Sequence, residues 1–259
     1  MEKWTMNKNI AEQTVLVTGS GRGLGSAVVR AFAREGAKVI INYRNSRTSA
    51  EELSQELGPR AAAFQADVQD AASVAQMVKE AETAFGPITT VVHNALADYS
   101  FNGDARTKLD TLTSEEIISQ HSTAVLGALN VIQATIPAMV KAGFGRIVTI
   151  GTNLVQNPVV PYHDYTSAKA ALLALTRTSA AELGPNGITV NMVSGGLLRS
   201  TDASSATPNE VFDYIASVTP LRSVTTPEEA ADAVLFFASP WARAVTGQNL
   251  VVDGGLVYG

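Results

Sequence analysis

The segment from Gln13 to Gly36 restricts the possible folds more than any other. A short apolar run, Thr14 to Thr18, breaks into Gly19-Ser20-Gly21-Arg22-Gly23-Leu24-Gly25 and then into an amphipathic stretch that stops at Gly36. A buried strand, a glycine turn and a helix in that order let the backbone approach a pyrophosphate. The helix N-terminus adds free N–H groups and a positive dipole end. The unit opens an alternating series. Strand-like runs follow at 38–43, 61–68, 88–94, 146–150, 188–193 and 250–252, with helical patterns at 49–57, 71–85, 114–142, 165–183 and 227–238. Alternation of this kind predicts an α/β single domain, a doubly wound parallel sheet of about seven strands with helices on both faces. Pro137 is expected to bend or interrupt the long helix of 114–142. Residues 96–111 read as a polar loop.

Tyr165 and Lys169 stand four apart in a helical segment, so their side chains leave one face. A phenol has an ordinary pKa of about 10, too high for an efficient acid near neutrality. A neighbouring ammonium, and a cationic nicotinamide ring when one is bound, favours the phenolate and lowers that value; a shift of about two to three units would correspond to roughly 3 to 4 kcal/mol. Thr152, thirteen residues before Tyr165, supplies a hydroxyl that could hold a carbonyl or alcohol beside the phenol. The trio is suited to proton transfer between an alcohol and a ketone.

At these residues the chain resembles the short-chain dehydrogenase/reductase family. Thr18-Gly19-x-x-x-Gly23-x-Gly25 matches that family's cofactor motif, Tyr165-x-x-x-Lys169 its catalytic motif, and Thr152 stands at its catalytic serine position. The stretch from Thr246 to Gly255, with Asp253 near its end, is similar to the family's last strand. Within the family the look is that of the 3-oxoacyl-[acyl-carrier-protein] reductases. The resemblance implies a Rossmann-type fold over residues 13–259, preceded by a short extension at 1–12, with 197–219 covering the substrate. It further implies a homotetramer, Asp67-Val68 against the adenine ring, and Asn94-Ala95 lining the cofactor cleft.

Charge argues for the cofactor. The second strand ends Asn42-Tyr43-Arg44, with no carboxylate to accept from the ribose hydroxyls of NAD. Arg22 in the glycine turn and Arg44 can instead pair with a 2′-phosphate, so NADP(H) is expected. Several positions depart from the family pattern. His93 and Leu96 replace the outer residues of Asn-Asn-Ala-Gly, and Ser194-Gly195-Gly196 stands where Pro-Gly is usual. Ala124 occupies the place of an asparagine that holds a proton-relay water in the family, with Gln120 and His121 one turn earlier as substitutes.

The expected reaction is NADPH-dependent reduction of a ketone, a 3-oxoacyl thioester or a related carbonyl, with a different small ketone, sugar or steroid as the rival substrate. A cofactor-binding protein with weak turnover is the rival class. The resemblance points to acyl carrier protein as carrier, yet Lys141–Gly145 and Gly184–Gly187 hold one lysine and no arginine to dock it. A net charge of −5 at pI 5.3 argues against nucleic acid and anionic membranes as partners. The chain has no cysteine, and its three histidines show no metal spacing. His163 is expected near the substrate mouth. The apolar stretch 168–175 suits burial by a second subunit. Met1 to Met6 lacks a signal-peptide core, no apolar run of about eighteen residues is evident, and a cytoplasmic enzyme is expected.

Overall fold

The computed structural model describes residues 7–97, 99–101, 105–199 and 201–258. The first six residues of the predicted extension lie outside that range. Ile10, in a short 3-10 turn at Ile10–Glu12, packs on the core.

Seven strands form one parallel sheet: β1 (Thr14–Val17), β2 (Lys38–Tyr43), β3 (Ala61–Gln65), β4 (Thr90–His93), β5 (Gly145–Thr152), β6 (Ile188–Gly195) and β7 (Asn249–Val252). Their order is β3-β2-β1-β4-β5-β6-β7. The chain builds outward from β1 to one edge, then returns to β4 and builds to the other. Alternate residues separate two cores. Val15, Val17, Val39 and Ile41 face one side; Leu16, Ile40 and Val91 face the other. Helices α1 (Gly23–Arg34), α2 (Arg47–Leu57) and α8 (Pro227–Ala238) cover the first face. Helices α3 (Ala71–Phe85), α5 (Gly127–Ala142) and α6 (His163–Leu183) cover the second, with α4 (Ser114–His121) leading into α5. Burial on both faces explains the near-continuous apolar strands.

Three helix starts are fixed by side chains. Asp70 accepts from the N–H groups of Ala72 and Ser73, while Thr113 with Glu116 and Thr226 with Glu229 form reciprocal capping boxes.

The long helical pattern of 114–142 departs from expectation in two ways. Its irregularity is a π-helical turn at Ser122–Leu126, not a break at Pro137, which is accommodated within α5. The turn lies where α5 must pass close over the sheet: a Cβ on Gly127 would sit 2.8 Å from Val68 Cγ2 and 3.3 Å from His93 Cε1. Ser114–Ala142 is also a 29-residue helix containing a window of mean hydropathy 1.5, long and apolar enough by composition to cross a membrane, which corrects the expectation that no such run exists. Its apolarity has a local cause. One face, including Ala128, Val131, Ile132 and Met139, belongs to the second core. Sequence reading also missed α7 (Asn209–Val218), inside the expected covering segment.

The apolar stretch 168–175 places Ala168, Leu172 and Leu173 in the interior of the chain itself. Exposed apolar residues lie instead on the long helix, at Ile118, Leu126, Leu129 and Val140.

Candidate active site

The glycine turn leaves the C-terminal end of β1 and is fastened to both neighbouring strands. Asn42 of β2 accepts from Gly19 N–H through Oδ1 (3.1 Å) and donates to Ala66 C=O (3.1 Å). From the β4 side, Asn94 Nδ2 donates to the carbonyls of Thr18 and Gly19, each at 3.0 Å, and Thr18 Oγ1 accepts from the N–H groups of Asn94 and Ala95 at 3.0 Å. Glycine is needed for space as well as angle. Gly19 has φ +60, and a Cβ there would lie 2.9 Å from Ala95 Cα; one on Gly25 would lie 2.7 Å from Asn94 Nδ2 and from Gly19 O. The cradle fits a pyrophosphate approached by bare backbone.

A cleft of about 560 Å³ runs from this cradle to Tyr165 and Lys169. Gly19, Arg22, Gly23, Leu24, Tyr43, Arg44, Asp67, Val68, Asn94 and Ala95 all border it, as the sequence anticipates. Ser20 instead turns inward: its N–H donates to Asn42 C=O and its hydroxyl to Val17 C=O, both at 2.8 Å. It fastens the turn rather than facing the cleft. Gly21 packs towards Ser46, whose Oγ would lie 2.8 Å from an added Cβ, and Gly25 is closed in behind the turn. Both arginines expected to meet a phosphate face carboxylates: Arg22 pairs with Asp202 at 3.1 Å, and Arg44 stands 3.9 Å from Asp67. All four side chains are substantially exposed, so each pair is weak.

Tyr165 and Lys169 rise from one face of α6, as their spacing predicts, and both are buried. Thr152, at the end of β5, sets its hydroxyl near enough to the Tyr165 phenol to pull that group's pKa down. Its own Oγ1 accepts from Leu154 N–H (3.3 Å), and the adjacent Asn153 donates to Asp253 at 2.9 Å. Asp253 also accepts from the N–H groups of Gly255, Leu256 and Val257, so the chain's C-terminal end braces the Thr152 corner.

Burial pushes the Tyr165 phenol up to about 12, against the smaller downward pull of the nearby Thr152 hydroxyl. Burial pushes Lys169 down to about 8. Its ammonium donates to Ile150 C=O at 2.8 Å and stands 5.7 Å from the Tyr165 ring centroid. Desolvation therefore dominates the phenol in the free protein, whereas the downward shift expected from the sequence includes the charge of a bound nicotinamide ring.

His93, on β4 below the π turn, is fully buried and pushed down to about 3, mainly by burial and secondly by the Lys169 charge. Its Nδ1 lies 3.3 Å from Thr18 Oγ1, and its Nε2 has no hydrogen-bond partner. Ala124 is buried in the π turn. Of the two suggested substitutes, Gln120 is buried, whereas His121 turns back on its own helix, with Nδ1 3.0 Å from Ile117 O. His163 is half-buried at the start of α6 and does not border the cleft.

Sequence reasoning missed the substrate side. Tyr99 and Phe101, from the loop after β4, lie against Tyr165. Arg106 and the buried Asp164 form an ion pair at 2.5 Å behind them. The pair Tyr99-x-Phe101 inside an otherwise polar stretch was the available signal.

A doubly wound parallel sheet, a glycine cradle at β1 and a Tyr–Lys pair at the same cleft, with Thr152 just behind, define an oxidoreductase of the dinucleotide-binding class. The chain belongs to the short-chain dehydrogenase/reductase family. A family model described as Enoyl-(Acyl carrier protein) reductase matches residues 19–257. The 3-oxoacyl-[acyl-carrier-protein] reductase FabG of Staphylococcus aureus is 33% identical over 250 residues, covering 94% of this chain and 98% of that protein. Among solved structures, a 3-oxoacyl-[acyl-carrier protein] reductase from Brucella melitensis superposes with a TM-score of 0.87 at 30% identity, covering 97% of this chain and 94% of that one. A gluconate 5-dehydrogenase from Burkholderia cenocepacia, solved with NADP and tartrate, superposes with a TM-score of 0.86 at 28% identity, covering 99% and 98%.

Proposed function

We propose that the protein reduces a ketone to a secondary alcohol with NADPH. The observation that carries this reading is the buried Tyr165–Lys169 pair at the end of a cleft that begins in the glycine cradle. NADPH, when bound, supplies the hydride that reduces the carbonyl carbon. Thr152 holds the carbonyl oxygen within reach of the phenol. Tyr165 gives its hydroxyl proton to that oxygen and is the general acid. Its raised pKa keeps the proton in place in the free protein. Lys169 favours the phenolate left after transfer, and its ammonium is placed to bind the nicotinamide ribose. Backbone N–H groups at the start of α1 take the pyrophosphate. Arg22 and Arg44 take the 2′-phosphate, exchanging Asp202 and Asp67 for a doubly charged partner.

The relatives' names support a 3-oxoacyl thioester as one substrate class. Residues 197–219, including α7, form the substrate cover in this reading: Thr201, Asp202 and Ala203 border the cleft. The exposed Ile118, Leu126 and Leu129 on the long helix support a homo-oligomer, and we place the enzyme in the cytoplasm. The test is loss of NADPH absorbance by the purified protein with a panel of 3-oxoacyl thioesters, diketones and simple ketones. Reduction of at least one class is expected, and NADPH should be preferred to NADH. Absence of turnover across the panel, with NADPH bound, would favour a cofactor-binding protein without efficient chemistry.

A further inference from the structure

Four aromatic rings meet where the substrate must enter. Tyr99 lies nearly parallel to Tyr165, with centroids 5.0 Å apart and planes at 28°. Phe101 meets Tyr165 edge-on at 5.5 Å and 84°. Tyr162 closes the group, 5.8 Å from both Tyr99 and Phe101.

The two loop rings are held from behind. The Arg106 guanidinium lies 4.2 Å from the Tyr99 ring centroid and pairs with Asp164, and the Tyr99 hydroxyl donates to the same carboxylate at 3.4 Å. Phe101 is fixed through its backbone: its N–H donates to Ala203 C=O (2.9 Å), and its carbonyl accepts from the Thr207 hydroxyl (3.0 Å). One ring is therefore anchored to α6 and the other to the covering segment.

This arrangement sorts substrates by chemistry. Tyr99 and Phe101 border the cleft together with Leu96 and Leu198; with Tyr165 stacked on the Tyr99 ring and the Arg106 guanidinium over it, Tyr99 offers the cleft its edge. Arg106 and Asp164 pair with each other and with Tyr99, and neither borders the cleft. A polyhydroxylated substrate would lose water from each hydroxyl and find few replacements. A straight chain gains only buried area. A flat aromatic ring gains that area together with edge-on contacts to the Tyr99 and Phe101 rings, which are already fixed in place.

We infer that the substrate's carbonyl is borne on a molecule with an aromatic ring, which packs on the Tyr99–Phe101 wall while the carbonyl lies at Tyr165 and Thr152. This specificity rests on the ketone-reduction reading above.

The test uses a matched pair, 4-phenyl-2-butanone and 4-cyclohexyl-2-butanone. Two methylenes insulate the carbonyl from the ring in both, so intrinsic reactivity is the same and only the ring differs. With the full-length protein and NADPH, kcat/KM should favour the phenyl ketone by about tenfold, the size expected from two good ring contacts. Tyr99→Leu and Phe101→Leu should each shrink that ratio to about twofold to threefold, whereas Tyr99→Phe should preserve it. Melting temperature and NADPH affinity of each variant confirm folding; if a leucine variant fails to fold, the parental ratio and Tyr99→Phe decide. A parental ratio near one, or a ratio indifferent to both leucine substitutions, overturns the inference. If neither ketone is reduced, the ketone-reduction reading fails for this pair, and calorimetric affinities of the two ketones for the NADP+ complex judge the ring preference separately: equal affinities overturn it, tighter binding of the phenyl ketone supports it.

Discussion

The cofactor end and the substrate end of the cleft are built by different means. The cradle uses backbone: bare glycines, N–H groups at a helix start, and two asparagines that hold one turn between β2 and β4. The substrate end uses side chains from the loop after β4, from α6 and from the covering segment, brought together across long stretches of chain. The first is specified by a few closely spaced small residues and tolerates little change. The second is specified by shape and charge at scattered positions. In the proposed reaction, the backbone-built part would serve the dinucleotide and the side-chain-built part would select the carbonyl compound.

The sharpest way to break this division is at its boundary, Tyr165. Tyr165→Phe should lower turnover by about a hundredfold or more while NADPH affinity, measured by fluorescence titration, stays nearly constant. Near-parental turnover would remove Tyr165 from the chemistry. A backbone-built cradle should also resist even a methyl group. Gly25→Ala should cost about 2 kcal/mol of stability, because the added carbon meets Asn94 and the Gly19 carbonyl, neither of which can yield without opening the turn. Denaturant unfolding without cofactor reads this directly, and an unchanged midpoint would show the turn to be pliable.

The buried lysine supplies a pH test. Lys169 titrates near 8 in the folded protein, below its ordinary value of 10.5. Between these two values the unfolded chain holds more protons, so this group's contribution to stability rises with pH through that window and is at its least favourable below pH 8. Lys169→Met should therefore be more stable than the parent at pH 7, by about 2 kcal/mol once the lost Ile150 hydrogen bond is subtracted, and the advantage should fade towards pH 10. An advantage that grows with pH would contradict the assigned direction. The smallest effect is expected at the outer rim. Arg44→Asp should shift cofactor preference from NADPH towards NADH by about tenfold, since an exposed attraction becomes a repulsion. A parent protein that binds the two cofactors equally would refute this role for Arg44.

How much could be read in advance follows from the same contrast. The strands were visible because burial on both faces makes them nearly pure apolar runs, and β2, α3 and α8 begin and end where the pattern places them. The Gly19–Gly25 turn was visible because its spacing is local. Pro137 does not interrupt the helix, because the missing N–H of a proline is only a local cost and α5 continues through it; the π turn at Ser122–Leu126 sits instead over Val68 and His93, a tertiary contact with no local signature. The Arg106–Asp164 pair was invisible for a similar reason: two unremarkable charges become a buried anchor only when the loop folds onto α6. The phenol's upward shift was missed because the lysine stands in the sequence, whereas the burial that opposes it does not.

The strand order has a consequence for how the chain is made. β1 sits in the middle of the sheet, with Val15 paired to Val39 on one side and to Thr90 on the other. As the chain emerges from its N-terminus, β1 and β2 can pair early through the short α1 connection, but the second flank of β1 stays open until β4 arrives. That open flank carries unpaired N–H and C=O groups on a strand that is apolar from Val15 to Val17, an invitation to pair with another nascent chain. Closing it requires a long loop to form before any contact rewards it, so this step should be slow and should need the most protection from aggregation. In the N-terminal half, the centre of the sheet is sealed after its edge.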